Sequence, residues 1–363
     1  MNFISKAKSI NPTTRYNASC YALVIVGFVV LQLLYSGGQL NASLRGQLIP
    51  ICVYVVMALS LNLTVGVMGG LSLGHAGFMS VGAFSGAVAC VALESMIPIP
   101  FLRLAAGMLV GAVFAGFVSF LVGFVVLRLK GDYLAVVTLA FGEIMRNLIT
   151  CLYVGIDANG LHIGFLTSIS ALNMGEGART IIDGPMGLRG LDRISTFAMG
   201  FVLIMITLFI VFNFMNSRAG RAVMALRDDY IAAESVGIPY TKYKLIAFIT
   251  SAALAGAAGC LFAMNYTTMA ASKFDFSTSI LVLLFVVLGG LGKMRGTIIA
   301  AALLTVLPEL LREFNDYRML IYAIVLILVM LITNNNTIRA VISKPKEALM
   351  SLINKNRKGA RIQ

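Results

Sequence analysis

Apolar residues run along most of this chain in blocks about as long as a bilayer is thick, and polar residues collect in the joints between them. A crossing helix needs about 20 predominantly apolar residues. Runs near that length cover residues 19–36, 48–67, 71–93, 102–127, 133–153, 195–215, 245–266, 278–292, 296–312 and 318–333. This pattern predicts an all-α polytopic membrane helix bundle of ten spans, a single transmembrane domain over 1–363. Three runs differ from the rest. Residues 71–93 are rich in Gly, Ala and Ser, while 278–292 and 296–312 are short and broken by Gly289-Gly290 and Gly292. These are expected to be broken or re-entrant helices lining a pathway. Lys6, Lys8 and Arg15 ahead of the first run give it the layout of a secretory signal. No small-x-small cleavage site follows, so a retained first span is expected.

The joints set the orientation. Ten spans put both termini on one side, and cytoplasmic termini place 19 basic residues inside: Lys6, Lys8, Arg15, Arg128, Lys130, Arg218, Arg221, Arg227, Lys242, Lys244, Lys293, Arg295 and seven from Arg339 onward. Seven fall outside, namely Arg45, Arg103, Arg179, Arg189, Arg193, Lys273 and Arg318. That asymmetry favours cytoplasmic tails at 1–18 and 334–363, a periplasmic loop at 154–194 and a cytoplasmic loop at 216–244. Gly66/Gly70, Gly82/Gly86 and Gly107/Gly111 repeat small residues at four-residue spacing, which lets helix backbones approach closely in lipid.

Composition agrees. The chain of 363 residues is 59% hydrophobic and 12% charged, with mean hydropathy +0.92, too little charge to coat a water-soluble globule. The net charge of +13 sits in loops and tails, without the basic, aromatic-interleaved face that nucleic acid requires, so no nucleic-acid partner is expected. Cys20, Cys52, Cys90, Cys151 and Cys260 contain no CxxC pair and read as small hydrophobes. Two distant histidines, His75 and His162, make no recognisable metal site, and no metal or cofactor is expected.

The inner loop carries the most specific pattern. From Arg221 to Ile238, Ala222, Ala225, Leu226, Ala233 and Val236 fall on one side at helical period, with Arg221, Arg227, Asp228 and Glu234 elsewhere. Gly237 and Pro239 end the helix. Such a helix suits a groove in a partner protein or the lipid interface. Ala232-Ala233-Glu234 followed by Gly237 resembles the loop by which ABC-importer permeases dock on their ATPases. More narrowly, Ser217–Ala222, Ile231–Glu234 and Tyr243–Phe248 are similar to the branched-chain amino acid permease family. Further blocks agree at Leu61–Leu63 with Ser72–Phe78, at Gly131–Ala135 with Thr138–Ile144, and at Val287–Gly292 with Gly296 and Leu307–Arg312. The likeness covers roughly 50–332 and is greatest to the longer of the two permeases that pair in one transporter. Two blocks depart from it: Ile182–Gly187 stands where members carry Thr-Gly-Gly-Pro-x-Gly, and Thr333–Asn336 where Arg-Pro-x-Gly is common.

The resemblance implies a permease subunit of an inner-membrane importer for leucine, isoleucine and valine. Its partners would be two ABC ATPase subunits, a second permease, paralogous to this one, and an extracytoplasmic binding protein. Relatives carrying urea, amides or other amino acids remain the alternative, as does an ion-coupled carrier working alone. Coupling residues would be Arg221, Arg227, Asp228, Ala232, Ala233, Glu234 and Gly237. Binding-protein docking would use Asp183 and Arg189. Pathway candidates are the polar residues within spans, Asn62, Ser72, His75, Thr138 and Glu143, because polar groups in lipid turn toward protein or water. Glu143 lies ten residues past Tyr133, about 15 Å along a helix. It either meets a zwitterion or a gate, or forms a structural i,i+3 pair with Arg146; His75 is a proton relay or a packing histidine. Gly290–Gly296 is not a phosphate loop: the first glycine of that motif would fall on Val287, and Met294 replaces its Ser or Thr. No ATPase site of its own is expected, and the chain is not expected to be an enzyme.

Overall fold

The computed structural model describes residues 12–38, 41–128, 133–157, 160–165, 179–312 and 317–334. Expectations for Lys6, Lys8, Lys130–Asp132, the middle of the outer loop and the basic tail from Asn335 lie outside those residues. Helices α1 (Pro12–Ser36), α2 (Ala42–Asn62), α3 (His75–Ala92), α4 (Pro100–Val126) and α5 (Tyr133–Thr150) come first. Strands β1 (Leu152–Asp157), β2 (Gly160–Phe165) and β3 (Arg179–Asp183) follow. Then come α6 (Phe197–Asn216), α7 (Arg218–Asp228), α8 (Tyr230–Ser235), α9 (Tyr240–Ala263), α10 (Phe276–Gly289), α11 (Met294–Leu310) and α12 (Arg318–Asn334).

Among the described residues seven helices, α1 to α6 and α9, are long and apolar enough to cross a membrane. The three remaining runs make shorter helices. At 14 residues α10 is about 21 Å long, short of a hydrocarbon core of about 30 Å, and α11 and α12 have 17 residues each. Residues 1–306 form one compact unit and 307–363 a second, which holds α12 and an ion pair between Arg312 and Glu309 at 3.3 Å.

Helix starts follow side-chain chemistry. Thr196, Ser217, Asp229 and Asp275 each accept a hydrogen bond from a backbone N–H of the first turn of α6, α7, α8 and α10, and Pro100 opens α4. In the first unit, α3, α4 and α9 form the tightest packing, and glycine makes it possible. A methyl on Gly82 of α3 would run into the Gly256 backbone of α9, and one on Gly111 of α4 would lie 2.7 Å from the Gly82 carbonyl oxygen. One helical turn further, Gly86 backs onto Cys260 and Gly107 onto Cys90. Two of the three glycine pairs read from the sequence therefore pack helices. The third does not: Gly66 lies in a π-helical turn, Leu63–Val67, and Gly70 in the irregular stretch beyond it. For the same reason the third span starts at His75 and not at residue 71.

Contacts place the ends of the first unit. Arg295 at the start of α11 donates to the Tyr16 carbonyl of α1 at 2.9 Å, and the α10–α11 turn meets the end of α2. The end of α3 and the start of α4 meet across the ion pair Arg103–Glu94, 3.2 Å, and Glu94 also binds Arg179 of β3 at 3.1 Å. The strands correct the expectation of an all-α chain with a plain outer loop. They form an antiparallel sheet in the order β2-β1-β3, with Val154 opposite Ile163 on one side and Ile182 on the other. Val154 of β1, Ile181 and Ile182 of β3, and Leu188 and Leu191 beyond it are buried, so this loop has apolar interior of its own. Leu188 pairs in turn with Met269 beyond α9, through N–H to carbonyl bonds of 2.9 and 3.0 Å.

Candidate functional site

The α2–α3 break and the glycine-rich α10–α11 turn meet at Gly66. Space at Gly66 is so tight that a methyl there would strike both Asn62 and the Gly292 backbone. Asn62, fully buried, binds on three sides. Its Oδ1 accepts from Gly292 N–H at 2.8 Å, and its Nδ2 donates to Thr297 Oγ1 at 2.8 Å and to Met294 Sδ at 3.6 Å. A tie between α2 and α11 results, carried by one amide. The near-motif around Gly290–Gly296 is thus a helix–helix turn whose Gly292 N–H is taken by Asn62.

Helix α7 reaches the same place from the inner loop. Arg227 donates from Nη1 to the Gly66 carbonyl at 2.8 Å, and its methylenes lie over Gly69, where φ is +73°. The guanidinium also binds Asp228 at 2.8 and 3.0 Å. A clasp therefore joins the inner loop to the α2–α3 break, two residues' contacts away from Asn62.

The expected helix over residues 221–238 is two helices. Asp229 is extended, with φ −151°, and its carboxylate accepts from Ile231 and Ala232 N–H at 2.9 and 3.1 Å to start α8. Gly237 ends α8 at φ +85°: Ile238 N–H bonds to Ala233 O at 3.1 Å and Gly237 N–H to Glu234 O at 3.0 Å, the paired bonds of a Schellman cap. The predicted apolar face divides. Val223, Leu226 and Ala233 are buried in the chain itself, whereas Ala225, Ile231, Ala232, Glu234, Val236 and Gly237 are exposed, Val236 at 74%. Ala232 and Ala233 thus point opposite ways.

The remaining polar residues within the bundle fall into two groups. His75 Nε2 lies 2.8 Å from the Ser60 hydroxyl, which donates to Met57 O at 2.9 Å, and Ser251 Oγ donates to Ser60 O at 2.5 Å. Thr138 Oγ1 accepts from Leu73 N–H at 3.1 Å and donates to Ala135 O at 3.0 Å, holding the α3 approach against α5. Both residues are buried, and Ser72 Oγ beside them is buried with no hydrogen-bond partner among the described residues. Glu143 and Arg146 of α5 are different. They pair at 2.7 and 2.9 Å, with about a third of each side chain exposed (33% and 31%).

At the sheet end, Asp183 and Arg189 bind each other at 2.7 Å across the turn Gly184–Met186. Asp183 is nearly buried and Arg189 half exposed, so only the arginine offers a free edge. Sequence reasoning missed the ties that hold this end, Glu94 with Arg103 and Arg179. Their signal was a lone acid, Glu94, flanked by a basic residue at the next helix start. It also missed Ser60, Ser251 and Thr297, which are unremarkable in apolar runs until their partners from other helices are seen.

Residues 44–330 match the family model described as branched-chain amino acid transport system / permease component. The high-affinity branched-chain amino acid transport system permease protein LivM of Escherichia coli K12 is 37% identical over 291 residues, and that of Salmonella typhimurium LT2 is 38% identical over 297. Each alignment covers 77% of this chain and 66% of the relative, just under two thirds of its length. The fructose import permease protein FruG of Bifidobacterium longum is 24% identical over 141 residues, 37% of this chain and 40% of that protein. No solved structure gave a significant match.

Proposed function

The chain belongs to the family of branched-chain amino acid transport system permease components, and from that premise we propose that it is the membrane-spanning permease subunit of an ATP-driven importer for leucine, isoleucine and valine. It works with two ATPase subunits, a second permease and an extracytoplasmic binding protein, in a bacterial inner membrane. It has no ATPase site and no cofactor of its own. Both termini lie in the cytoplasm, α7 and α8 face the ATPases and the sheet faces the binding protein.

One observation carries the mechanism: the clasp from Arg227 to the Gly66 carbonyl. A segment that only rested on lipid would have no need of a bond to the broken backbone between two spans. Motion of α7 driven by ATPase closure reaches Gly66 directly, and through the Gly66–Gly292 contact and Asn62 it reaches the α10–α11 turn. Exposed Ile231, Ala232 and Val236 form the docking face, with Arg221, Asp228 and Glu234 around it. Ala233 and the Gly237 cap hold that face in shape. On the outer side Arg189, oriented by Asp183, is the docking charge. Asn62, His75 and Thr138 brace the helices that border the path, Ser72 lies buried beside them, and Glu143 faces it.

The test is reconstitution. The chain with its ATPases, second permease and binding protein in vesicles should take up leucine only with ATP. Uptake by the chain alone, driven by an ion gradient, would replace this reading with a secondary carrier. A reporter fused after Gly237 should be active only in the cytoplasm, and one fused near Asn173 only outside.

A further inference from the structure

The pair on α5 sits in a place that needs explaining. Glu143 and Arg146 lie about 15 and 20 Å from the start of a helix that is itself only 18 residues long. A charge near mid-bilayer is costly, so such groups turn toward protein or water. Yet a third of each side chain is uncovered. Asn147, next to Arg146, is exposed as well, beside the exposed apolar residues Val136, Ala140, Ile144 and Leu148 of α5.

The bonding pattern is lopsided. Arg146 directs both Nε and Nη2 at a single oxygen, Glu143 Oε2. Oε1 of the carboxylate and Nη1 of the guanidinium are left without a hydrogen-bond partner among the described residues. One acceptor of negative charge next to one donor of positive charge complements a group carrying an ammonium and a carboxylate on the same carbon. A lipid tail complements neither, and a free monovalent ion only one of them. Ile144 and Leu148, also exposed, flank the pair and supply apolar surface within reach of an aliphatic side chain.

We propose that the open edge of the Glu143–Arg146 pair is the subsite for the charged head of a free α-amino acid in transit, Arg146 Nη1 taking the carboxylate and Glu143 Oε1 the ammonium. The assignment rests on the reading of the chain as an amino acid permease. Because the pair already satisfies itself through Oε2, the site holds its shape when empty and releases the amino acid without stranding a charge. Arg146 matters for its fork, since a lysine could not bind Glu143 and a carboxylate in one plane.

The experiment uses the assembled transporter in vesicles, with radiolabelled leucine as the probe and co-purification of the second permease and ATPases as the control. Arg146→Lys, the neutral pair E143Q/R146Q and the swapped pair E143R/R146E should all keep their partners. Each should lower leucine uptake at least tenfold. The swap separates the meanings: it restores an ion pair but reverses the order in which the charges meet the amino acid. Uptake near wild type in the swapped variant makes the pair a structural tie, and loss of the second permease from the neutral variant makes it a subunit contact; either overturns the proposal alone. A wild-type complex that takes up no amino acid overturns the permease reading and this subsite with it.

Discussion

Replacing Asn62 by leucine keeps the number and branching of the side-chain heavy atoms and removes the polar contacts of Asn62 with Gly292, Thr297 and Met294. The Gly292 N–H loses its acceptor in a site tight enough that a methyl on Gly66 would touch Gly292. A buried donor left unpaired costs about 1–3 kcal/mol, and the lost bond to Thr297 adds roughly 0.5–1.5 kcal/mol. The expected destabilisation is therefore about 2–4 kcal/mol. Thr297→Val alone should cost less, because Asn62 keeps Gly292 and the Met294 sulfur. In the double variant the Asn62–Thr297 bond is already gone, so the two losses should overlap. Interhelical bonds in lipid average about 0.6 kcal/mol in such cycles, and a bond of 2.8 Å with nothing competing for Nδ2 but a sulfur should give at least that coupling. Denaturant titration in mixed micelles, for the four variants of the cycle, measures it. Strict additivity, or an Asn62→Leu protein within about 0.5 kcal/mol of wild type, would refute the claim that this amide ties the helices.

Arg227→Ala should leave the ATPases bound but cut leucine uptake per ATP hydrolysed severalfold, measured in vesicles; unchanged coupling would mean that the clasp to Gly66 transmits nothing. Ala232→Trp should lose the ATPases on co-purification while keeping wild-type thermal stability, whereas Ala233→Trp, placed in a buried site, should destabilise the chain itself. Gly237→Val should cost about 1–2 kcal/mol for a side chain forced into the left-handed region and loosen α8, with ATPase affinity as the readout. Gly82→Val should exceed the usual over-packing cost of about 1–3 kcal/mol, because the clash is with backbone, and should show as loss of folded protein in detergent. Reversing Arg189 to Asp should weaken transport that depends on the binding protein, and D183R/R189D should restore the local pair without restoring the docking charge.

The hydropathy pattern was enough to locate the long spans, because a run of some 20 apolar residues has few other uses. It could not tell an apolar helix from apolar irregular chain, so the stretch from Leu71 to Gly74 was absorbed into a span that begins only at His75. Gly82, Gly86, Gly107 and Gly111 announced close packing by their spacing, but not that Gly256 and Cys260 of α9 would fill the space. Which helix meets which is decided by complementarity among residues far apart in the chain. The same holds for Asn62: its burial was legible, its partners at Gly292 and Thr297 were not. The divided inner helix was readable in principle, since Asp229 is a strong helix starter placed just before Tyr230-Ile231-Ala232. So was the hairpin of β1 and β2, where Leu161, Ile163 and Phe165 alternate with smaller or polar residues. The first was hidden by reading Arg221–Ile238 as one continuous helix, the second by reading 154–194 as a plain loop.

The glycine crossing of α3, α4 and α9 also sets a schedule. Gly82 with Gly111 and Gly86 with Gly107 can close on one another as soon as α4 is made, but both levels also need α9, which supplies Gly256 to the first and Cys260 to the second and ends 137 residues after α4, at Ala263 against Val126. At a synthesis rate of about 5–20 residues per second, the ribosome needs roughly 7–27 s to deliver it. For that interval the most closely packed part of the finished protein is a half-built pair of helices standing in the bilayer, its third side open to any small-faced helix that drifts past. Biogenesis of this chain is therefore a waiting problem, and the crowding of the membrane at the insertion site bears on its yield as directly as the stability of the finished fold.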